Sequence, residues 1–230
     1  MGDAKSVDPK VPGPKIAYVV DDDPTFRRSL LLLLEAAGWA VQDFSCGEDF
    51  LAEVDQLRPG VLLLDLRMPG MSGLDLLEKG GARLLNFAII ILTGHGDVDA
   101  AVRALKGGAV DFLEKPFDGL QLLAMLDSNL AQLLNSLEFA RREREAVARV
   151  GQLSNRERDV LSGLLAGAPH KVIARHLGIS DRTVEMYRNN MVRKLGAKST
   201  NEALHLGMLA KVQPAEVSGG SVQVTTGKSP

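Results

Sequence analysis

The feature that most constrains the fold is an unbroken apolar run that ends in a single aspartate. The run covers residues 61–64, Asp65 follows it, and Pro69 and Gly70 stop the segment. A Val/Leu run without alternation is typical of a strand buried on both faces, as in a parallel sheet. The carboxyl end of such a strand lies at the edge where open α/β folds bind ligands. Asp65 is therefore the first candidate for chemistry.

Apolar strand patterns alternate with helical patterns from residue 16 to residue 131. The predicted strands are 16–20, 39–44, 61–65, 87–93 and 109–113. The predicted helices are 24–38, 47–57, 71–79, 97–106 and 118–130. This alternation predicts a doubly wound five-stranded parallel sheet of the flavodoxin-like kind. The irregular segment 80–86 indicates a short third helix.

Charge divides the chain into two parts. Residues 16–131 contain nine lysines and arginines against eighteen aspartates and glutamates, whereas residues 150–212 contain ten against five. An acidic half joined to a basic half suggests two domains with different partners, and nucleic acid is one candidate for the second.

Composition indicates a cytoplasmic protein without a membrane partner. The longest apolar run, residues 30–34, is far shorter than the ~20 residues of a membrane span. Residues 1–15 lack the apolar core of a signal peptide, and we expect them and residues 212–230 to be disordered tails. The single cysteine, Cys46, fits a reducing compartment, and we expect it to have no redox role.

Reactive side chains follow several of the predicted strands. Asp21 and Asp22 follow the first, Asp65 ends the third, Thr93 ends the fourth, and Lys115 lies just past the fifth. Because parallel strands end at one edge, these groups should meet there. Clustered carboxylates need a neutralising cation, and Mg²⁺ suits oxygen ligands near phosphate. Asp65 could then attack a phosphoryl donor, and Thr93 could donate a hydrogen bond to a phosphoryl oxygen.

Four motifs make residues 16–131 resemble a two-component receiver domain. They are Val-Asp-Asp-Asp-Pro (20–24), Leu-Asp-Leu-Arg-Met-Pro-Gly-Met-Ser-Gly (64–73), Leu-Thr-Gly-His-Gly-Asp (92–97) and Gly-Ala-Val-Asp-Phe-Leu-Glu-Lys-Pro-Phe (108–117). The resemblance implies that Asp65 accepts phosphate from a sensor histidine kinase. It also implies that Asp22, Asp65 and the backbone carbonyl of Arg67 bind Mg²⁺, with Asp21 reaching the ion through water.

The same resemblance implies a switch. Thr93 and Phe112 would re-orient on phosphorylation, and Lys115 would contact the phosphoryl group. The Lys115–Pro116 bond is expected to be cis. The switch position holds Phe112 where the family often has tyrosine, which removes a hydroxyl but keeps the packing role. His95 lies close to Thr93 in sequence, and we expect it to be a loop residue without a catalytic role.

The basic half is helical throughout. Capping boxes at residues 154–157 and 199–202 open a helix to about residue 166 and a last helix to about residue 211. Between them, helices 170–177 and 181–195 are joined by the turn 178–180. This layout is that of a helix-turn-helix, whose second helix enters the major groove. The layout alone also fits a structural four-helix module.

Sequence motifs favour DNA binding. Leu-Ser-Asn-Arg-Glu-Arg (153–158), Lys-Val-Ile-Ala (171–174), Leu-Gly-Ile-Ser (177–180), Arg-Thr-Val-Glu (182–185) and Arg-Lys-Leu (193–195) closely resemble the LuxR-type domain. By position, the resemblance implies that Glu185, Met186 and Asn189 face base edges. The cations and hydroxyl expected to contact the DNA backbone are Lys171, Arg182, Thr183, Arg188 and Arg193.

Together these segments resemble a FixJ/NarL-type response regulator, and most closely its FixJ branch. We expect a receiver domain at 16–131, a helical linker at 132–150 and a LuxR-type domain at 151–211. The linker could also form a dimer seam, although two heptads are too few to establish a coiled coil. The resemblance implies that phosphorylation promotes homodimerisation and binding to double-stranded promoter DNA, with RNA polymerase as a further partner.

Three alternatives compete with this interpretation. An enzyme that forms an aspartyl phosphate often carries a general acid two residues after its nucleophile, but Arg67 occupies that position. A DNA binder that does not depend on phosphorylation would not need the complete set of Asp21, Asp22, Asp65, Thr93 and Lys115. An RNA-binding output is disfavoured by the helix-turn-helix layout. The kinase, the stimulus, the operator and the direction of regulation are not encoded in any recognisable motif.

Overall fold

In a computed structural model, the chain is described for residues 15–94 and 98–216, which form two compact units that divide after Leu137. The predicted tails, 1–15 and 212–230, lie largely outside the described residues, and His95 lies outside them too. The first unit combines a sheet with helices, and the second is helical.

A five-stranded parallel sheet forms the centre of the first unit. Its strands are β1 (Ile16–Val20), β2 (Ala40–Phe44), β3 (Gly60–Asp65), β4 (Phe87–Thr93) and β5 (Asp111–Glu114). They lie in the order β2-β1-β3-β4-β5, and every neighbouring pair is parallel. The predicted doubly wound sheet is therefore confirmed.

Helices cover both faces of this sheet. They are α1 (Pro24–Ala36), α2 (Gly47–Glu53), α3 (Gly73–Gly80), α4 (Val98–Lys106) and α5 (Gly119–Gly151). Successive residues of β3 pack on opposite sides: Leu62 contributes to a core with α2, α3 and α4, and Leu63 to a core with α1 and α5. Because every residue of β3 and β4 is buried, the sequence shows unbroken apolar runs there.

The end of α2 and the start of β5 differ from the predicted boundaries. Helix α2 ends at Glu53. The segment predicted to be irregular forms a 3-10 helix (Gly81–Asn86), and Arg83 in this helix donates to the carbonyl of Leu51 in α2 at 2.6 Å. Strand β5 begins at Asp111 because the amide of Ala109 still closes α4. Both differences depend on contacts between distant parts of the chain or on turn geometry.

Up to residue 216, where the described part of the chain ends, the second unit contains four further helices around two small apolar clusters. They are α6 (Asn155–Leu165), α7 (His170–Leu177), α8 (Asp181–Lys194) and α9 (Thr200–Leu209). The capping box between Ser154 and Glu157 is confirmed. The predicted box at Ser199 forms only in part, because the carboxylate of Glu202 accepts from the amide of Lys198 instead.

Within the described residues, no helix is both long and apolar enough to cross a membrane. The helical pattern predicted to run on from the receiver into residues 131–150 corresponds to the single helix α5. Residues 212–216, the start of the segment predicted to be a tail, are held to α6 in part by the Ser162 hydroxyl, which donates to the carbonyl of Gln213 at 2.6 Å.

Candidate functional site

The carboxyl ends of β1, β3 and β5 bring two aspartates and one lysine together. The ammonium nitrogen of Lys115 lies 2.7 Å from Oδ2 of Asp21 and 2.7 Å from Oδ1 of Asp65. Asp21 is 1% exposed and Asp65 is 7% exposed, so this cation bridges two largely buried carboxylates. Of the residues predicted to meet at this edge, the structure therefore brings Asp21, Asp65 and Lys115 into direct contact.

Backbone amides occupy the other carboxylate oxygens of the two aspartates. The amide of Arg67 donates to Oδ2 of Asp65 at 2.7 Å, and the amide of Asp23 donates to Oδ1 of Asp21 at 2.9 Å. Burial raises the pKa of Asp65 above its ordinary value, and Asp21 raises it further, although Lys115 and the Arg67 amide oppose the shift. Asp65 is thus a largely buried and poorly hydrated carboxylate.

An aromatic pair that the sequence analysis did not link to the site supports Lys115. The Lys115 ammonium lies 4.0 Å from the ring centroid of Phe26, and Phe117 meets that ring edge to face at 6.0 Å. Burial lowers the pKa of Lys115, but hydrogen bonds to both aspartates raise it more, so the net shift is upward. The Lys115–Pro116 bond is cis, as expected. Lys115 is therefore held charged by its neighbours.

Further oxygen donors that suit a metal ion adjoin Asp21 and Asp65 in the sequence. Asp22 is exposed beside Asp21, and the loop that carries the Arg67 carbonyl follows Asp65 directly. In residues 15–94 and 98–216, no three acidic, histidine or cysteine side chains are grouped so that they alone could hold a metal. One or two carboxylates with a backbone carbonyl and waters is the coordination that Mg²⁺ typically accepts, so the donors present fit that ion.

The loop after β3 is constrained by close backbone packing. A Cβ added to Gly73 would lie 2.4 Å from the carbonyl oxygen of Asp65. Ser72 and Asp75 form a capping box at the start of α3. The amide of Gly73 donates to the carbonyl of Leu66 at 3.1 Å. Only glycine allows α3 to begin so close to Asp65.

The two residues of the predicted switch lie on neighbouring strands with contrasting exposure. Thr93 ends β4 and is 3% exposed, and its hydroxyl donates to the carbonyl of Gly94 at 3.2 Å. Phe112 on β5 is 41% exposed. The amide of Lys115 donates to the carbonyl of Thr93 at 2.8 Å, which ties this pair to the charged site.

The helix-turn-helix lies in α7 and α8. Gly178 ends α7 in the left-handed conformation at φ 66°, and Ser180 caps α8 by accepting from the amide of Thr183. Val184 and Met191 on α8 are buried in the core, so another side of this helix is accessible. Residues spaced three or four apart lie together on such a side. That accessible side carries Arg182, Glu185, Met186, Asn189 and Arg193.

The remaining predicted DNA contacts differ in their surroundings. Lys171 is exposed at the start of α7, and the hydroxyls of Thr183 and Ser180 share a 2.8 Å hydrogen bond. Arg188 is half-buried and paired with Glu185, Asn189 and Thr200. Next to Arg193, Lys194 is not one of the predicted contacts, and its ammonium is bound to the buried Glu157 at 2.7 Å.

The chain has close relatives among known proteins. The model for the response regulator receiver domain matches residues 17–127, and that for bacterial regulatory proteins of the luxR family matches residues 151–206. The transcriptional regulatory protein FixJ of Bradyrhizobium diazoefficiens is 45% identical over 193 residues, which are 84% of this chain and 94% of that protein. The chain belongs to the FixJ family of response regulators. FixJ of Rhizobium meliloti is 41% identical over 86% of this chain and 97% of its own length.

Solved structures place this response regulator in the same family. The crystal structure of full-length FixJ from B. japonicum has 44% identity and a TM-score of 0.55, covering 86% of this chain and 97% of that one. The response regulator StyR has 36% identity and a TM-score of 0.71, covering 85% and 98%. The chain is thus a transcription regulator with a receiver domain, which implies a sensor kinase, and a LuxR-type DNA-binding domain. Receiver domains typically bind Mg²⁺ at their phosphorylation site.

Proposed function

We propose that a sensor histidine kinase controls this response regulator by transferring a phosphoryl group to Asp65. The observation that carries the proposal is the Lys115 ammonium, 2.7 Å from both Asp21 and Asp65. An oxygen of ionised Asp65 attacks phosphorus, the P–N bond to the kinase histidine breaks, and the electron pair leaves on the imidazole. Lys115 then has a phosphoryl oxygen as a partner, which stabilises the acyl phosphate.

The acidic residues are assigned to Mg²⁺. Asp22, Asp65 and the Arg67 carbonyl would hold the ion, and Asp21 would reach it through water. When bound, Mg²⁺ neutralises phosphoryl charge during transfer. Asp21 keeps a second role, because its buried carboxylate orients Lys115 towards Asp65.

Thr93 and Phe112 are assigned to the response. The Thr93 hydroxyl would turn to a phosphoryl oxygen, and the exposed Phe112 ring would then pack into the space beside β4. The exposed apolar side chains of Val102 and Leu105 lie on α4, and that of Val110 lies just before β5. We assign homodimerisation of the phosphorylated protein to this face of α4 and β5.

The output is sequence-specific binding to double-stranded promoter DNA in the bacterial cytoplasm, with RNA polymerase as a further partner. We assign 16–131 to the receiver, 132–150 to the linker and 151–211 to the DNA-binding domain. Glu185, Met186 and Asn189 on α8 are the candidates for base readout. Candidates for backbone contacts are Lys171, Arg182, Thr183 and Arg193.

Two other functions are less well supported. A phosphatase or phosphotransferase acting on small molecules would need a general acid near Asp65, and the side chain two residues on is the cationic Arg67. A regulator that ignores phosphorylation would have no use for a buried Asp21–Lys115–Asp65 arrangement, which is costly to maintain.

The proposal is tested on wild type and Asp65→Ala with Mg²⁺, each with and without beryllofluoride as a phosphoryl mimic. Light scattering after size exclusion gives the oligomeric state, and the same samples are titrated against random duplex DNA. We expect a dimer and tighter DNA selection only for wild type with beryllofluoride. Identical behaviour of the two proteins in all conditions would favour a receiver that does not control DNA binding.

A further inference from the structure

Arg188 on α8 is enclosed by protein groups. Its Nη1 donates to the hydroxyl of Thr200 at 3.0 Å, and its Nη2 donates to Oδ1 of Asn189 at 3.1 Å. The same Nη2 forms an ion pair with Glu185. The side chain is 28% exposed, and its Nε is fully buried without a hydrogen-bond partner. The guanidinium thus connects α8 to the start of α9.

This environment is unsuitable for a DNA backbone contact. Arginine binds phosphate best through two parallel N–H groups on one edge of the guanidinium. The edge that includes Nε is buried, and both terminal nitrogens of Arg188 already have protein acceptors. The motif position predicts a backbone contact for Arg188, but its surroundings indicate another role.

We propose that Arg188 is a positioning residue that fixes Glu185 and Asn189 for base readout. The inference rests on the proposed DNA-binding function and refines its specificity. Both partners of Arg188 on α8 are side chains assigned to base edges, and Thr200 anchors the guanidinium from a separate helix. Arg188 acts on the DNA only through these two side chains.

The arrangement has two physical consequences. A free glutamate in the groove would be repelled by phosphates, and the adjacent cation offsets that repulsion. The carboxylate and amide are also ordered before binding, so less side-chain freedom is lost in the complex. Oε1 of Glu185 is held by Arg188 and Oε2 lies 3.5 Å from Nδ1 of His170, which leaves carboxylate lone pairs for a cytosine amino group.

The test separates selectivity from electrostatic attraction. The full chain with Mg²⁺ and beryllofluoride selects a duplex from a random pool, and its Kd is compared with that for unselected duplex at several salt concentrations. We expect Arg188→Gln to lower the ratio of the two affinities by about ten-fold or more. We expect its salt dependence to change little, because no phosphate contact is lost.

Arg193→Gln is the matched control. Arg193 is exposed on the same helix and is assigned to the DNA backbone. Its loss should lower the affinity for both duplexes equally and reduce the magnitude of the slope of log affinity against log salt by about one. If Arg188→Gln behaves like Arg193→Gln, Arg188 is a phosphate contact and the inference is overturned.

Two further variants exclude a merely structural effect. Thr200→Ala removes the anchor but keeps every α8 side chain, and we expect reduced selectivity with an unchanged salt slope. Thr200→Ala also replaces Arg188→Gln as the test of positioning if thermal melting shows that Arg188→Gln does not fold. In a Glu185→Ala background, Arg188→Gln should cost much less selectivity than it does alone. Fully additive losses, or wild-type selectivity in Thr200→Ala, would contradict positioning.

Failure of the underlying function gives a different result. If wild type enriches no sequence from the pool, sequence-specific DNA binding itself is wrong and the role of Arg188 falls with it. If wild type enriches a sequence and Arg188→Gln keeps the same affinity ratio, only the role of Arg188 is wrong.

Discussion

At the scale of single residues, the acidic site that we assign to phosphorylation lowers the stability of the folded protein. The pKa of Asp65 is raised chiefly by burial, so the folded protein binds this proton more tightly than the unfolded chain does. A carboxyl with a raised pKa favours folding at low pH, and that contribution is lost as pH rises through the folded-state pKa. At neutral pH, ionised Asp65 therefore lowers the free energy of unfolding.

Asp65→Asn should consequently raise the melting temperature in metal-free buffer at pH 8. The gain should shrink towards pH 4, where the wild-type carboxyl becomes protonated and resembles the amide. The measurement is a melting curve of each protein across this pH range with a chelator present.

Asp75→Asn is the control for this experiment. The pKa of Asp75 is lowered by hydrogen bonds from Ser72 at the start of α3, so its ionised form favours folding above its ordinary pKa. Its replacement should lower the melting temperature at pH 8. An Asp65→Asn protein that melts below wild type at pH 8 would show that Asp65 does not oppose folding.

Single-residue chemistry was only partly predictable from sequence. Asp21, Asp65 and Lys115 could be grouped because each lies at the end of a parallel strand, and strand ends share one edge. The Phe26 ring beneath Lys115 and the Arg188 pairing with Thr200 could not, because each joins separate elements of the chain whose packing no local pattern specifies.

At the scale of elements, the connection between β3 and α3 determines where Asp65 lies. A Cβ at Gly73 would meet the Asp65 carbonyl at 2.4 Å, and backbone cannot yield as a flexible side chain does. Gly73→Ala should therefore lower the free energy of unfolding by about 1–3 kcal/mol. It should also slow phosphorylation of Asp65 by a small-molecule phosphodonor.

Denaturant unfolding and the phosphorylation rate test this prediction together. Gly151→Ala is the matched control, because a Cβ there meets nothing within 4 Å and the site is at the end of α5. It should change neither quantity appreciably. Wild-type stability and rate in Gly73→Ala would mean that the loop relaxes without moving Asp65.

Elements were predictable to different degrees. Strands β3 and β4 followed directly from sequence because burial on both faces requires continuous apolar residues. The end of α2 did not, since Arg83 from a later 3-10 helix binds its last turn. The partial capping box at Ser199 was also not predictable. The carboxylate of Glu202 accepts from the amide of Lys198 and not from that of Ser199, and the sequence does not distinguish these two amides.

At the scale of the whole molecule, an acidic receiver and a basic DNA-binding unit share one chain. Residues 150–212 carry the excess of lysine and arginine, whereas the proposed phosphorylation adds negative charge to the other unit. Phosphorylation therefore cannot strengthen DNA binding by direct electrostatic attraction, because the added charge is negative, as is that of DNA. Coupling must come from a change in the population of dimers or in the availability of the DNA-binding domain.

These two forms of coupling predict different responses to DNA with one or two half-sites. Dimerisation joins two DNA-binding domains, so the second binds at a high effective concentration. With beryllofluoride and Mg²⁺, affinity for a duplex with two half-sites one helical turn apart should rise by about 10²-fold or more. Affinity for a duplex with one half-site should barely change.

Titration of both duplexes at protein concentrations across the dimerisation range measures this difference, with Asp65→Ala as the unresponsive control. Shifting the two half-sites by half a helical turn should abolish the gain, because one dimer cannot then reach both from the same side. Equal tightening on one and two half-sites would mean that phosphorylation releases an occluded DNA-binding domain. Dimerisation would then not be the step that strengthens DNA binding.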